Sequence, residues 1–430
     1  MKSSNARGNE WKIFHLAEVT KADFPIVYGI VQPGPEVSDG VPYINTGDLS
    51  KGLSKTTLAK TSHDIARQYQ RTRLEPGDIV VSLRGSIGEA EIVPESLRGA
   101  NLARGVARLS LSEEFDPRYV AAQLESSAVQ RQVYRKTNGS TFREITIAEL
   151  RAITIDAPNH AEQRAIADYL EQWNRAINTC NSLIESSVKQ KNALTQQLLT
   201  GKRRLSGFSI SNEIEYTSAG PLPKDWEVVP IGKVAAEVSD RNAGGDALPV
   251  LACSKHVGFV NSLEYFKKKV YSDDLTNYKI IRRGQFGFPS NHIEEGSIGL
   301  QSICDAGVVS PIYTVFEINE SQVDAGFLFK VLKTEHYRQR FAAATNASVD
   351  RRGSLRWKGF RAIRIPLPSL KEQQAISAVL DHAAQLEESY KRQREKLEQE
   401  RRALMQQLLS GRRRVKLPSE SITPAKENAS

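Results

Sequence analysis

The sequence predicts an α+β protein built twice over, as two pseudo-twofold-related globular modules separated by two long antiparallel coiled-coil helices. Three observations carry that reading. A long segment beginning at Glu162-Gln163 returns without a gap at Glu372-Gln373, an offset of 210 positions. Shorter motifs in the flanking regions recur in the same order. Apolar residues inside the recurring segment fall at alternating spacings of three and four, the signature of a narrow coiled-coil stripe.

The elements follow in chain order. The first module, residues 1–158, opens on Trp11, Ile13, Leu16 and Val19, which match Trp226, Val228, Ile231 and Val234 at the start of the second. β-rich runs such as Asp78 to Leu83 and Ile312 to Phe316 are bounded by Gly and Pro, and Glu75 to Asp78 and Arg282 to Gln285 read as turns feeding them. Gly85-Ser86-Ile87-Gly88 recurs as Gly296-Ser297-Ile298-Gly299 and reads as a tight backbone turn. Pro117 to Lys136 and Ala325 to Ala344 carry helical spacing.

Residues 159–205 form the first long helix, with a stripe of Ile166, Leu170, Trp173, Ile177, Cys180 and Ile184, resumed by Leu194 and Leu198. A linker, 206–220, leads to the second module, 221–368, and then to the second long helix, 369–415, with Ile376, Leu380, Ala383, Tyr390, Leu397, Leu404 and Leu408. Each helix ends at a glycine, Gly201 or Gly411, followed by three cations that complement the negative helix end. Neither stripe is buried by one helix alone, so the two helices are expected to pair. Residues 416–430, rich in Pro, Ser and Glu, read as a disordered tail.

Composition narrows the function classes. The chain of 430 residues carries 59 Lys+Arg against 50 Asp+Glu, a net charge of +9, which favours polyanionic partners. No apolar run approaches the roughly 20 residues of a membrane span, and the first ten residues lack a signal-peptide core, so a cytoplasmic location is expected. Cys180, Cys253 and Cys304 are far apart, which argues against both a disulfide scaffold and a zinc ribbon.

The sequence lacks a P-loop, a G-x-G-x-x-G after a strand and an Asn-Pro-Pro-aromatic motif, so no catalytic residues and no metal ligands are assigned. Asp78 with Glu89 and Glu91 lacks a placed lysine for a nuclease centre, and His256 and His292 have no spaced metal-ligand companions.

Leu222-Pro-Lys-Asp-Trp226, Pro366-Leu-Pro368, the Glu-Gln-x-Ala-Ile helix starts and the Gln-Gln-Leu-Leu-Thr/Ser-Gly-Lys/Arg-Arg-Arg helix ends together resemble the specificity subunit of type I restriction–modification systems. Tyr28 to Gly34 and Val41 to Leu49 resemble the family's first module, whereas Pro249 to Ser254 matches Pro42 to Gly47 only loosely. The resemblance runs from Trp11 to Val415. It implies two target-recognition domains reading one bipartite, asymmetric site in double-stranded DNA. It also implies helices that dock two methyltransferase (modification) subunits, with nuclease/translocase (restriction) subunits joining. S-adenosylmethionine, ATP and Mg would then belong to those partners, with no cofactor on this chain. An autonomous DNA-binding regulator or architectural protein is the alternative, and a self-contained restriction enzyme is disfavoured by the missing motifs.

Direct readout needs Arg or Lys for guanine, Asn or Gln for adenine and short hydroxyls to tune either. On that chemistry the loop holding Lys136, Asn138, Ser140, Thr141 and Arg143 is a candidate contact. Its counterpart in the second module holds Arg351, Arg352 and Arg356. Further candidates are Arg84, Arg104, Ser254-Lys255-His256 and Ser290-Asn291-His292.

Overall fold

Short strands punctuated by glycine turns build the same four-stranded antiparallel sheet in both halves of the chain. The computed structural model describes residues 11–53, 58–137, 143–208, 213–346 and 353–415; the tail 416–430 lies outside them. The chain divides into two compact units. One runs to Asn181 and resumes at Arg392, and the other spans Ser182–Lys391. Each unit therefore holds one module, part of the helix that follows it and part of the other long helix.

In the first unit the sheet order is Val27–Tyr28, Val106–Leu109, Ile79–Ser82 and Ala90–Ile92. Every residue of the two central strands is buried, because helices or loops cover both faces. Lys12–His15 pairs antiparallel with Thr154–Ala157 and closes the two ends of the module on each other. The second unit repeats this with Ala235–Val238, Tyr313–Ile318, Phe286–Pro289 and Gly299–Leu300, closed by Glu227–Pro230 against Arg364–Leu367.

The expected helices are each broken in two. Pro117–Glu125 stops at Ser126, whose hydroxyl accepts from Val129 N and caps Ser127–Lys136. In the second unit Ala325–Leu332 gives way to Glu335–Asn346. The segment read as a linker contains most of a hairpin, Ile214–Thr217 with Gly220–Pro223.

The long helices are His160–Leu199 and Leu370–Leu408. Their apolar stripes join the cores of both units. Ile166, Ala167 and Leu170 pack with Met405, Leu408 and Leu409 among Leu16, Tyr119 and Ile155 in the first. Leu198 and Leu199 pack with Ile376 and Leu380 among Phe286, Phe316 and Phe360 in the second. Each fully buried aliphatic contributes about 1.5–3 kcal/mol, enough for a handful to hold a helix on its module. The stripe turns polar further along, where the buried carboxylate of Glu387 receives Lys191 and Lys391 at 2.5 Å each.

The duplicated helix-end motifs interlock crosswise. Arg204, from the end of the first helix segment, pairs with Glu372 at the start of the second helix (2.6 Å) and with Asp225 (2.9 Å), and lies over the Trp226 ring. Arg414 repeats this with Glu162 (2.6 Å) and Trp11. These two arginines are thus inter-element struts rather than the helix-end complements that their position after glycine predicts.

The neighbouring glutamines clamp helix to module in the same duplicated way. Gln163 accepts from Asp116 N and donates to Glu114 O and Pro158 O. Gln373 does the same with Asp324 N, Gln322 O and Pro368 O. A Glu-Gln pair beginning each helix is therefore explained by two buried jobs, an ion pair and a three-bond clamp. Arg401 grips Glu125 through two bonds of 2.7 Å and so ties the second helix to the first module.

Candidate nucleic-acid interface

In each unit the chain leaves its central strand into a loop that is pinned by the segment returning toward the closing strand. In the first unit Ile145 N donates to Leu83 O (3.0 Å), and Arg84 forms a backbone bridge with Glu144. In the second, Leu355 N donates to Ser290 O (2.8 Å). The two contacts are equivalent, and they make Arg84 and Asn291 counterparts. Both hold a buried side-chain atom, Arg84 Nε and Asn291 Oδ1, with no hydrogen-bond partner among the described residues.

A third strand end reaches the same place. Leu83 N donates to Gly105 O (2.8 Å), and a Cβ on Gly105 would lie 2.9 Å from Arg84 Nε and 2.8 Å from Thr46 Cγ2. A glycine there lets the Arg84 side chain lie across the backbone. Arg104 is exposed beside it, its N–H bonded to Ile30 O. Arg143 is exposed, its guanidinium 4.8 Å from the centre of the Tyr134 ring. The structure thus gathers Arg84, Arg104 and Arg143 on three converging segments, with Lys136 at the end of the adjoining helix.

In the second unit Ser254 is buried and its hydroxyl accepts from His256 N, shaping the turn of the hairpin Leu251–Ser254 with Gly258–Asn261. Lys255 and His256 are exposed at the turn. Lys333 links this turn to the neighbouring one, donating to Lys255 O (2.7 Å) and Gly296 O (2.9 Å). Burial pulls its pKa below the ordinary lysine value. Sequence reading missed this lysine, which is distant from every motif.

Ser290 is buried, its hydroxyl donating to Ile312 O, so it shapes the loop. Arg356 is exposed before the short helix Trp357–Phe360. Asn138, Ser140, Thr141, Arg351 and Arg352 lie outside the described residues.

Two expectations about the surrounding groups change. His292 gains companions that the spacing did not offer, since one helical turn brings Glu294 and Glu295 close, with all three ligand atoms within 4.8 Å of one another. His292 Nδ1 stands 3.4 Å from Glu295 Oε1, an exposed pair. The Pro249 to Ser254 match, loose in sequence, is sound in structure at its start. Tyr43-Ile44 pairs in parallel with Asn101-Leu102, and Val250 forms the corresponding parallel bridge with Val308. The chains then part, as Asn45 and Asp48 cap the helix Thr46–Leu49 whereas the second unit continues as its hairpin.

The duplicated glycine turn is a backbone device, as its sequence implies. Gly85, Gly88 and Gly296 all have positive φ, a conformation costly to any residue with a Cβ. Asp78 is also structural, bonded by Ser110 Oγ (2.6 Å) and Glu75 N (2.8 Å).

The family model described as the type I restriction modification DNA specificity domain matches residues 9–190. A putative type I restriction enzyme specificity subunit, MjaX, of Methanocaldococcus jannaschii is 24% identical over 427 residues, 95% of this chain and 94% of its own length. Over nearly its whole length the chain is thus similar to type I restriction enzyme specificity subunits. The Escherichia coli EcoBI specificity subunit is 28% identical over 192 residues, 44% of this chain, and the chain spans only 40% of that relative's length. The fold is shared with the S subunit of a type I system from M. genitalium, at a TM-score of 0.54 and 16% identity, covering 95% of this chain and 98% of that one. It is likewise shared with a chain solved in work on complex assembly and conformational transition of the type I system (TM-score 0.55, 17% identity, covering 94% and 98%). Among the described residues no helix is long and apolar enough to cross a membrane.

Proposed function

We propose that this chain is the non-catalytic specificity subunit of a type I restriction–modification complex, its DNA-reading component, each module reading one half of a bipartite, asymmetric site. One observation carries the reading. At equivalent, similarly pinned loop positions the two modules present different side chains suited to base edges, Arg84 in one and Asn291 in the other. Arginine pairs bidentately with guanine and asparagine with adenine, so one scaffold supplies two unlike readers. Both loops are supported by buried central strands, which holds the readers in place.

The long helices dock two methyltransferase subunits, and nuclease/translocase subunits join through them, in the cytoplasm. S-adenosylmethionine, ATP and Mg serve those partners. Co-expression of the chain with its methyltransferase subunit, followed by base-resolution mapping of genomic methylation, tests the proposal. A split, asymmetric methylated motif that disappears when the chain is omitted supports it. A soluble complex that adds no motif overturns it.

A further inference from the structure

The helix Ser127–Lys136 and its counterpart Glu335–Asn346 end beside the proposed reading loops, yet their ends are chemically opposite. Val133 and Phe341 are buried at matching positions, which sets the alignment. From there Val133-Tyr134-Arg135-Lys136-Thr137 stands against Phe341-Ala342-Ala343-Ala344-Thr345. One turn earlier Arg131 stands against Gln339. Across the loop, Arg143 stands against Gly353, as the paired contacts of Ile145 and Leu355 require. Four positions thus carry three arginines and a tyrosine in one module, and no charge and no aromatic ring in the other.

In the first module these residues line a cleft of about 710 Å³ with Gly85 at its border. Arg131, Tyr134 and Arg135 fall at i, i+3 and i+4 and so share one helix face. Tyr134 is 65% exposed, with Arg143 held against its ring. Among the described residues no carboxylate pairs with Arg131, Arg135 or Arg143, in contrast to Arg98, Arg118 and Arg401 of the same unit, which are neutralised. The cations are not needed to end the helix, because Glu335–Asn346 forms without them and is longer, 12 residues against 10.

We propose that this cleft is a phosphate-gripping saddle belonging to the first module alone, with Tyr134 positioning Arg143 beside it. The inference rests on the DNA-recognition reading above and adds an asymmetry. Backbone attraction, and with it the salt dependence of binding, is concentrated on the first half-site. Phosphate contacts position a protein without carrying sequence information, so the saddle affects affinity and leaves the recognised bases unchanged.

The test exchanges the two modules' identities in the full chain assembled with its methyltransferase subunits. Binding to duplex DNA carrying the methylated motif is measured from 50 to 200 mM salt. In the variant Arg131→Gln/Tyr134→Ala/Arg135→Ala the log–log salt slope should fall by about two, roughly one per lost phosphate contact. Wild type should then lose roughly 15-fold more affinity than the variant across that fourfold salt range. The recognised motif should not change. The reciprocal Gln339→Arg/Ala342→Tyr/Ala343→Arg should steepen the slope, and it decides the matter should the first variant fail to fold. Unchanged slopes in a complex that still prefers its motif overturn the saddle. A wild-type complex without sequence preference instead overturns the recognition reading itself.

Discussion

The two modules share their struts and differ at their edges. Each strut in one has its counterpart in the other: Glu162–Arg414 and Glu372–Arg204, Gln163 and Gln373, Trp11 and Trp226. After the first parallel contact, however, one chain turns into the capped helix Thr46–Leu49 and the other into the hairpin Leu251–Asn261. What divergence preserved is the set of buried polar contacts that cannot be lost singly. What it remodelled is the exposed border where a ligand's identity would be read.

Even the shared struts are unequal. The Arg204 side chain is 9% exposed and faces two carboxylates, whereas Arg414 is 40% exposed, and the counterpart of Asp225, Glu10, lies outside the described residues. Burial alone would lower the Arg204 pKa, but its bonds to Asp225 and Glu372 outweigh that and raise it.

Removing Arg204 strips the buried carboxylate of Glu372 of its countercharge and leaves it the Trp226 Nε1 hydrogen bond (3.2 Å). Arg204→Ala should therefore cost about 3–5 kcal/mol in urea unfolding of the full chain. Arg414→Ala, where water reaches the site, should cost less, about 1–3 kcal/mol. Equal costs would mean that the difference in burial is immaterial. Gln163→Ala and Gln373→Ala each remove a buried glutamine and its three hydrogen bonds and should each cost about 1–3 kcal/mol. Here the two modules should agree closely, since the clamps match bond for bond; a large inequality would show that the repeat is only superficial.

These struts were half legible. The Glu-Gln starts and Gly-Lys/Arg-Arg-Arg ends stood out because they are duplicated. Their crosswise pairing was not legible, because it follows from antiparallel packing that places residue 204 against residue 372. Arg401 was not legible for a related reason. No motif marks it, and only the module's Glu125 makes it a contact. In the candidate interface Arg84, Arg104 and Arg143 were legible as reader chemistry, while Ser290 was not separable from them, since burial decides that it shapes the loop. Lys333, Tyr134, Arg131 and Arg135 carry no motif and emerge only when loops far apart in sequence meet.

A smaller effect concerns a contact with no duplicate. Hydrogen bonds from Lys191 and then Lys391 hold the Glu387 carboxyl below its ordinary value of 4.5. A depressed folded pKa contributes stability that is complete above the unfolded value and is lost as pH falls through the folded one. Glu387→Gln should thus be less stable than the wild type at neutral pH, and the two should converge below about pH 4.5. A constant gap down to pH 2 would remove the carboxylate from the balance.

Division of labour between the modules is tested most directly by mapping methylated bases in cells expressing the methyltransferase subunit with each of three chains: wild type, Arg84→Ala/Arg104→Ala and Asn291→Ala/Arg356→Ala. The first variant should relax or change only one half of the split motif and the second only the other, each lost bidentate contact being worth about 1–3 kcal/mol of discrimination. Variants that fold and join the complex yet alter both halves together, or neither, would contradict the assignment of one half-site to each module.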